Sequence, residues 1–130
     1  MILPRLPSAL IRLGINDLEL VEVDPKYMVS MSNWHKPKGG MCYVCIAGAV
    51  MAKTMGVEPE IWENPAGFKE DYGALVAIDC LRIGRVNQAC KVLGLECNRA
   101  NVYIPEYADH PERFKLAMMA LAKDLEEMGL

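Results

Sequence analysis

The run Met41 to Met55, M-C-Y-V-C-I-A-G-A-V-M-A-K-T-M, constrains the fold more than any other stretch. It lies between Gly39-Gly40 and Gly56 and carries a single charge, Lys53. A segment apolar on nearly every face has to be enclosed by the rest of the chain. Its length reads as a helix, with Gly56 as the stop. Ala47, Gly48, Ala49 and Ala52 are small and let neighbouring helices approach closely. A bulky residue at Ala49 is expected to overpack the site by ~1–3 kcal/mol. The uncharged part, Met41–Ala52, is well short of the ~20 residues that cross a bilayer.

What surrounds this helix follows from local signals. Ser8 can cap a brief helix, Ala9 to Leu13, that stops at Gly14. Leu18–Val23 is valine-rich and partly alternating, and Tyr27–Ser32 alternates cleanly. Together they read as a hairpin turning at Asp24-Pro25-Lys26. Asn33–Gly40 reads as loop, because Pro37 and the glycine pair oppose a regular element. A second loop, Val57–Phe68, holds Trp62, expected to fold onto the body. Helical spacing returns from about Lys69 to Ile83 and again from Val86 to Leu93. Gly84 either bends the chain between two helices or kinks one. Val102–Ile104 is a short apolar run stopped by Pro105, able to add a strand to the hairpin. The last helix has the clearest start: Asp109 and Glu112 as a capping box and Pro111 in the first turn. Its stripe is Phe114, Ala117, Met118, Leu121, Leu125 and Met128. The expected fold is mainly α: a compact single domain, residues 1–130, forming a helical bundle around the buried central helix with a small β-hairpin. A chain of 130 residues is long enough to bury such a core without metal or disulfide.

Composition narrows the function classes. A net charge of −3 argues against a general nucleic-acid binder. Five cysteines, an odd number, do not make a secreted disulfide framework, so the thiols are expected to be reduced in a cytoplasmic protein. Pro4, Arg5, Pro7 and Arg12 interrupt the N-terminal apolar residues, which is not a signal-peptide pattern. There is no dinucleotide or phosphate-binding glycine motif, no H-E-x-x-H and no G-x-S-x-G.

One constellation could carry chemistry. Cys42 and Cys45 have C-x-x-C spacing; on a helix N-terminus they would share a face and feel the positive end of its dipole. His35 lies in the loop just upstream. Three chemistries use these residues: a redox dithiol, a zinc site, or a Cys42 nucleophile with His35 as base. Zinc would need a fourth ligand from Cys80, Cys97 or His110. Against all three stands the plainer reading that Cys42 and Cys45 are small buried apolar side chains, which the character of the helix favours. Cys80 and Cys90 read as core, and Cys97 as a loop residue. Trp34, His35, Lys36 and Lys38 form a basic-aromatic cluster able to contact phosphate or an acidic partner surface. Asp79 and Arg82 are placed to pair on one helix.

The pattern W-H-x-P-x-x-G-x-C-x-V-C-x-A-G-A-V-M-A, Trp34 to Ala52, resembles a stretch in small uncharacterised proteins of bacteriophages and prophages. The motif A-x-D-x-L-R-x-G, Ala77 to Gly84, extends the likeness. The resemblance transfers no catalytic residue. It implies a small accessory protein in a bacterial host cytoplasm, binding a host or phage protein without enzymatic activity, and compatible with a homo-oligomer. Nine methionines offer adaptable apolar surface for such a partner. The alternative is the thiol- or metal-dependent site at His35, Cys42 and Cys45.

Overall fold

Leu10, Ile11, Ile15, Leu18 and Val21 recur at threes and fours and are buried on one face of a single helix, α1 (Pro7–Glu22). The 3.6-residue period continues through Gly14, so the expected stop there and the expected strand at Leu18–Val23 do not occur. Gly14 serves packing instead. A Cβ at this position would stand 3.0 Å from the Ile46 side chain, where α1 meets the central helix. Pro7 opens the helix, and Ser8 lies inside it without capping. The computed structural model describes residues 2–130. Among the described residues helix makes up 48% of the fold, in five α-helices and one short 3-10 turn (Pro65–Gly67), beside one small mixed sheet.

The sheet comprises β1 (Tyr27–Val29), β2 (His35–Lys38) and β3 (Met41–Val44), in the order β1-β3-β2. β1 runs parallel to β3, and β2 runs antiparallel to it. The hairpin therefore lies at β2–β3 rather than at Asp24-Pro25-Lys26. Gly39 (φ 62°) and Gly40 (φ 82°) form its turn. Two successive left-handed residues match the twist of a two-residue hairpin, so the pair that argued for a loop is the turn itself. Pro37 is tolerated because β2 is an edge strand.

The central apolar run is divided. Met41–Val44 is the middle strand, Cys45 is the N-cap, and α2 occupies only Ile46–Lys53. Burial alternates along the strand, with Cys42 and Val44 inside, then becomes continuous from Ile46 to Ala52. Hydrogen bonding on both sides of β3 outweighs the helical reading of its four residues.

α3 (Tyr72–Arg82) and α4 (Val86–Val92) are separate helices meeting at Gly84, whose φ is 73°. Val102–Ile104 forms no strand. It runs extended, and the Val102 N–H donates to the Gly84 carbonyl at 3.0 Å. α5 (Pro111–Glu127) begins with His110 as N-cap and Pro111 in the first turn; neither Asp109 nor Glu112 caps it. Phe114, Met118, Leu121 and Leu125 are buried as the stripe requires, and Met128 is exposed. Trp62 is 65% exposed and does not fold onto the body. No helix among the described residues is long and apolar enough to cross a membrane.

Candidate functional site

Strand alternation brings His35 and Cys42 together. His35 faces Val44 across the hairpin and Cys42 faces Pro37, so both side chains fall on the buried face. The His35 ring is held by the Ile61 carbonyl, 2.9 Å from Nδ1. A carbonyl only accepts, so Nδ1 carries the proton and the neutral ring has its lone pair on Nε2. The Cys42 Sγ lies 3.6 Å from Nδ1 and 3.7 Å from Nε2. Ring lone pairs and N–H bonds lie in the ring plane and diverge. A sulfur almost equidistant from both nitrogens is in line with neither.

Electrostatics agrees with this geometry. Burial raises the Cys42 thiol to about 11, and burial lowers the His35 imidazole below its ordinary value. The pair rests as thiol and neutral ring, whereas an activated cysteine needs a thiolate beside a cation or an aligned base. The Tyr27 ring meets His35 edge-on at 6.4 Å, and the Lys53 ammonium lies 5.2 Å from the Tyr27 ring centre. Burial pushes the Tyr27 phenol up to about 12.

Cys45 belongs to a different setting. As N-cap of α2 its Sγ accepts from the Gly48 N–H at 3.3 Å, and burial raises it to about 11. The favourable end of the helix dipole does not offset that desolvation. Cys42 and Cys45 therefore do not share a helix face, which corrects the expected arrangement. The Asn33-Trp34 backbone crosses the first turn of α2, with the Cys45 N–H donating to the Asn33 carbonyl. A Cβ on Gly48 would stand 1.5 Å from the Trp34 carbonyl oxygen. Only glycine lets the backbone cross there and lead His35 into the sheet.

The other predicted ligands, Cys80, Cys97 and His110, do not join His35, Cys42 and Cys45 in one group among the described residues. Cys80 and Cys90 are buried core, Cys97 is half-buried and His110 is exposed at the start of α5. Among the described residues, no three His, Cys, Asp or Glu side chains are grouped to hold a metal ion. The basic-aromatic cluster is split: His35 is buried and Trp34 packs against the core, while Lys36 and Lys38 are exposed. Asp79 and Arg82 pair at 2.9 Å, as their spacing suggested. Two buried carboxylates were not foreseen. Asp17 accepts from the Thr54 hydroxyl, and Asp71 accepts from the Leu3 N–H at 2.6 Å. Both tie chain segments together.

The largest of the described concavities lies elsewhere, between the end of β1 and the irregular 102–108 segment, which turns at Tyr107. It is a cleft of about 730 Å³. Val29 to Ser32 form one wall and Ile104 to Ala108 the other, with Arg82 and Ile83 between them and Phe114 also lining the space. Tyr107 secures the second wall. Its ring meets Phe114 edge-on at 5.7 Å, and its hydroxyl donates to Glu22, which also pairs with Lys115 at 2.6 Å. Ile83, 45% exposed, also lines an adjoining hollow of about 540 Å³ together with Ile104, Glu106 and Tyr103, which is 85% exposed. One weak sign of this region is legible along the chain, Tyr103 in a short apolar run closed by Pro105. A smaller hollow of about 470 Å³ adjoins the Gly39-Gly40 turn, bordered by Lys26, Lys38, Glu60 and Cys42, yet the Cys42 side chain has no solvent exposure. No protein-family model, curated protein or solved structure matches the chain.

Proposed function

We propose that this protein is a non-enzymatic accessory protein that acts by binding another protein. One observation carries the reading: the largest of the described concavities is an open cleft with no cysteine or histidine in its lining, and through Ile83, Ile104 and Glu106 it adjoins a hollow lined by exposed Tyr103. Tyrosine is among the residue types that most often anchor a protein interface once a partner covers it. Among the described residues, the one Cys–His pair in contact is buried, neutral and out of line, which favours a structural part for Cys42 and His35. The resemblance of Trp34–Ala52 to phage proteins supplies the setting, a bacterial host cytoplasm with a host or phage protein as partner.

The test replaces Tyr103 with a photo-crosslinking residue in cells, with the same replacement at exposed Lys123 as control. A discrete protein adduct from position 103, absent from position 123 and retained in a Cys42→Ala/Cys45→Ala background, is the expected result. Loss of the adduct, or of the biological effect, in a folded double-cysteine variant would transfer the function to the thiols.

A further inference from the structure

We infer that the cleft takes an extended, basic segment of a partner polypeptide, which adds to the outer edge of β1 as a strand. The inference rests on the protein-binding reading above and specifies the partner's chemistry.

The first argument is the hydrogen-bonding phase of β1. The Lys26 carbonyl accepts from the Cys42 N–H, and the Ser30 N–H donates to the Val44 carbonyl. With Tyr27 opposite Cys42 and Val29 opposite Val44, the even-numbered residues of this parallel ladder face β3. The N–H and C=O of Val29 therefore face the other edge. Val29 lines the cleft, and among the described residues its backbone bonds to nothing beyond the ladder. An open edge beside a formed groove selects extended backbone over a helix or a small anion.

The second argument is charge. Within the cleft, Arg82 is already paired with Asp79. Glu106 lines the opposite wall and, among the described residues, pairs with no lysine or arginine. The net charge left in the groove is negative. A segment with arginine or lysine on alternate positions satisfies Glu106 while its other side chains meet Ile104 and Phe114, since alternate strand residues point to opposite faces. A second copy of this chain fits less well. Twofold pairing of β1 edges would bring two Glu106 carboxylates into one groove between chains that each carry −3.

The experiment uses the isotope-labelled full chain and a blocked hexapeptide of alternating valine and arginine. Amide shift changes confined to Val29–Ser32, Ile83 and Ile104–Tyr107 are expected. A valine–glutamate hexapeptide, and a valine–arginine peptide N-methylated at alternate amides, should each bind about tenfold more weakly or not at all. Val29→Pro removes an N–H that the β3 ladder does not use. It should fold and lose the peptide, and Glu106→Lys should weaken binding by a similar factor should the proline variant fail to fold. No binding, equal binding of the acidic peptide, or concentration-dependent broadening of the same amides without peptide would overturn the inference. The last result would mean that a second copy occupies the edge. A Tyr103 adduct that forms equally well in Val29→Pro would sink this inference and leave the protein-binding reading standing.

Discussion

Two regions of this molecule are built on the same device and end in opposite ways. At Gly48 the Trp34 carbonyl comes so close that a Cβ would stand 1.5 Å from its oxygen; at Gly84 the Val102 carbonyl comes so close that a Cβ would stand 1.8 Å away. In the first region the crossing backbone leads into β2 and encloses His35 and Cys42 completely. In the second it starts the irregular 102–108 wall and leaves an open cleft. The sealed region holds the chemically suggestive side chains without access. The open region has access and a free strand edge but no cysteine or histidine in its lining. Reactive residue types are therefore poor guides to a site until their exposure and alignment are known.

The largest expected effect comes from breaking the sealed region. Gly48→Ala should cost more than ~3 kcal/mol, beyond ordinary overpacking, because its Cβ meets backbone rather than a movable side chain. A urea titration showing a loss under ~1 kcal/mol would mean that the Asn33-Trp34 segment can shift freely. Gly84→Ala comes next. It combines a left-handed φ of 73° with the Val102 approach, and should cost at least ~2 kcal/mol. Its distinguishing mark is local: faster amide exchange at Val102, whose bond to the Gly84 carbonyl is strained, with the Cys42 region unchanged.

A smaller effect sharpens the contrast by pH. His35 titrates in the fold below its ordinary 6.5, so between those values the unfolded chain binds the extra proton. Its contribution to stability is complete above about pH 6.5 and is lost as pH falls through that value toward the lowered one. Urea midpoints measured from about pH 7.5 down to about pH 5 should decline, and the decline should be shallower in His35→Gln. Parallel slopes in the two proteins would show that His35 is not held neutral. The mildest test changes no residue. With thiols near 11, Cys42 and Cys45 are only about one-thousandth ionised at pH 8, besides being enclosed. They should react with a thiol reagent at the rate of global unfolding, after half-buried Cys97. Rapid labelling of Cys42 in the native protein would reopen the nucleophile reading.

The helical class, the burial of Val44–Ala52 within the Met41–Met55 run, the bend at Gly84 and the start of α5 at Pro111 were legible in the sequence. Each depends on a local property: hydrophobic period, proline's missing N–H, or glycine's access to positive φ. The errors at Met41–Val44 and Leu18–Val23 run in opposite directions and share a cause. Short apolar runs suit strand and helix equally, and partners distant in sequence decide between them. β3 is a strand because β1 and β2 bond both its edges. Leu18–Glu22 is helix because its buried face continues that of α1 across α2. The site divides the same way. The sequence put His35, Cys42 and Cys45 close along the chain, which follows from spacing alone. Only the tertiary structure decided that Cys42 lies against the His35 ring, that Cys45 caps a helix, and that the cleft forms where β1 faces Ile104–Ala108, because side-chain direction and access depend on packing between segments far apart in the chain.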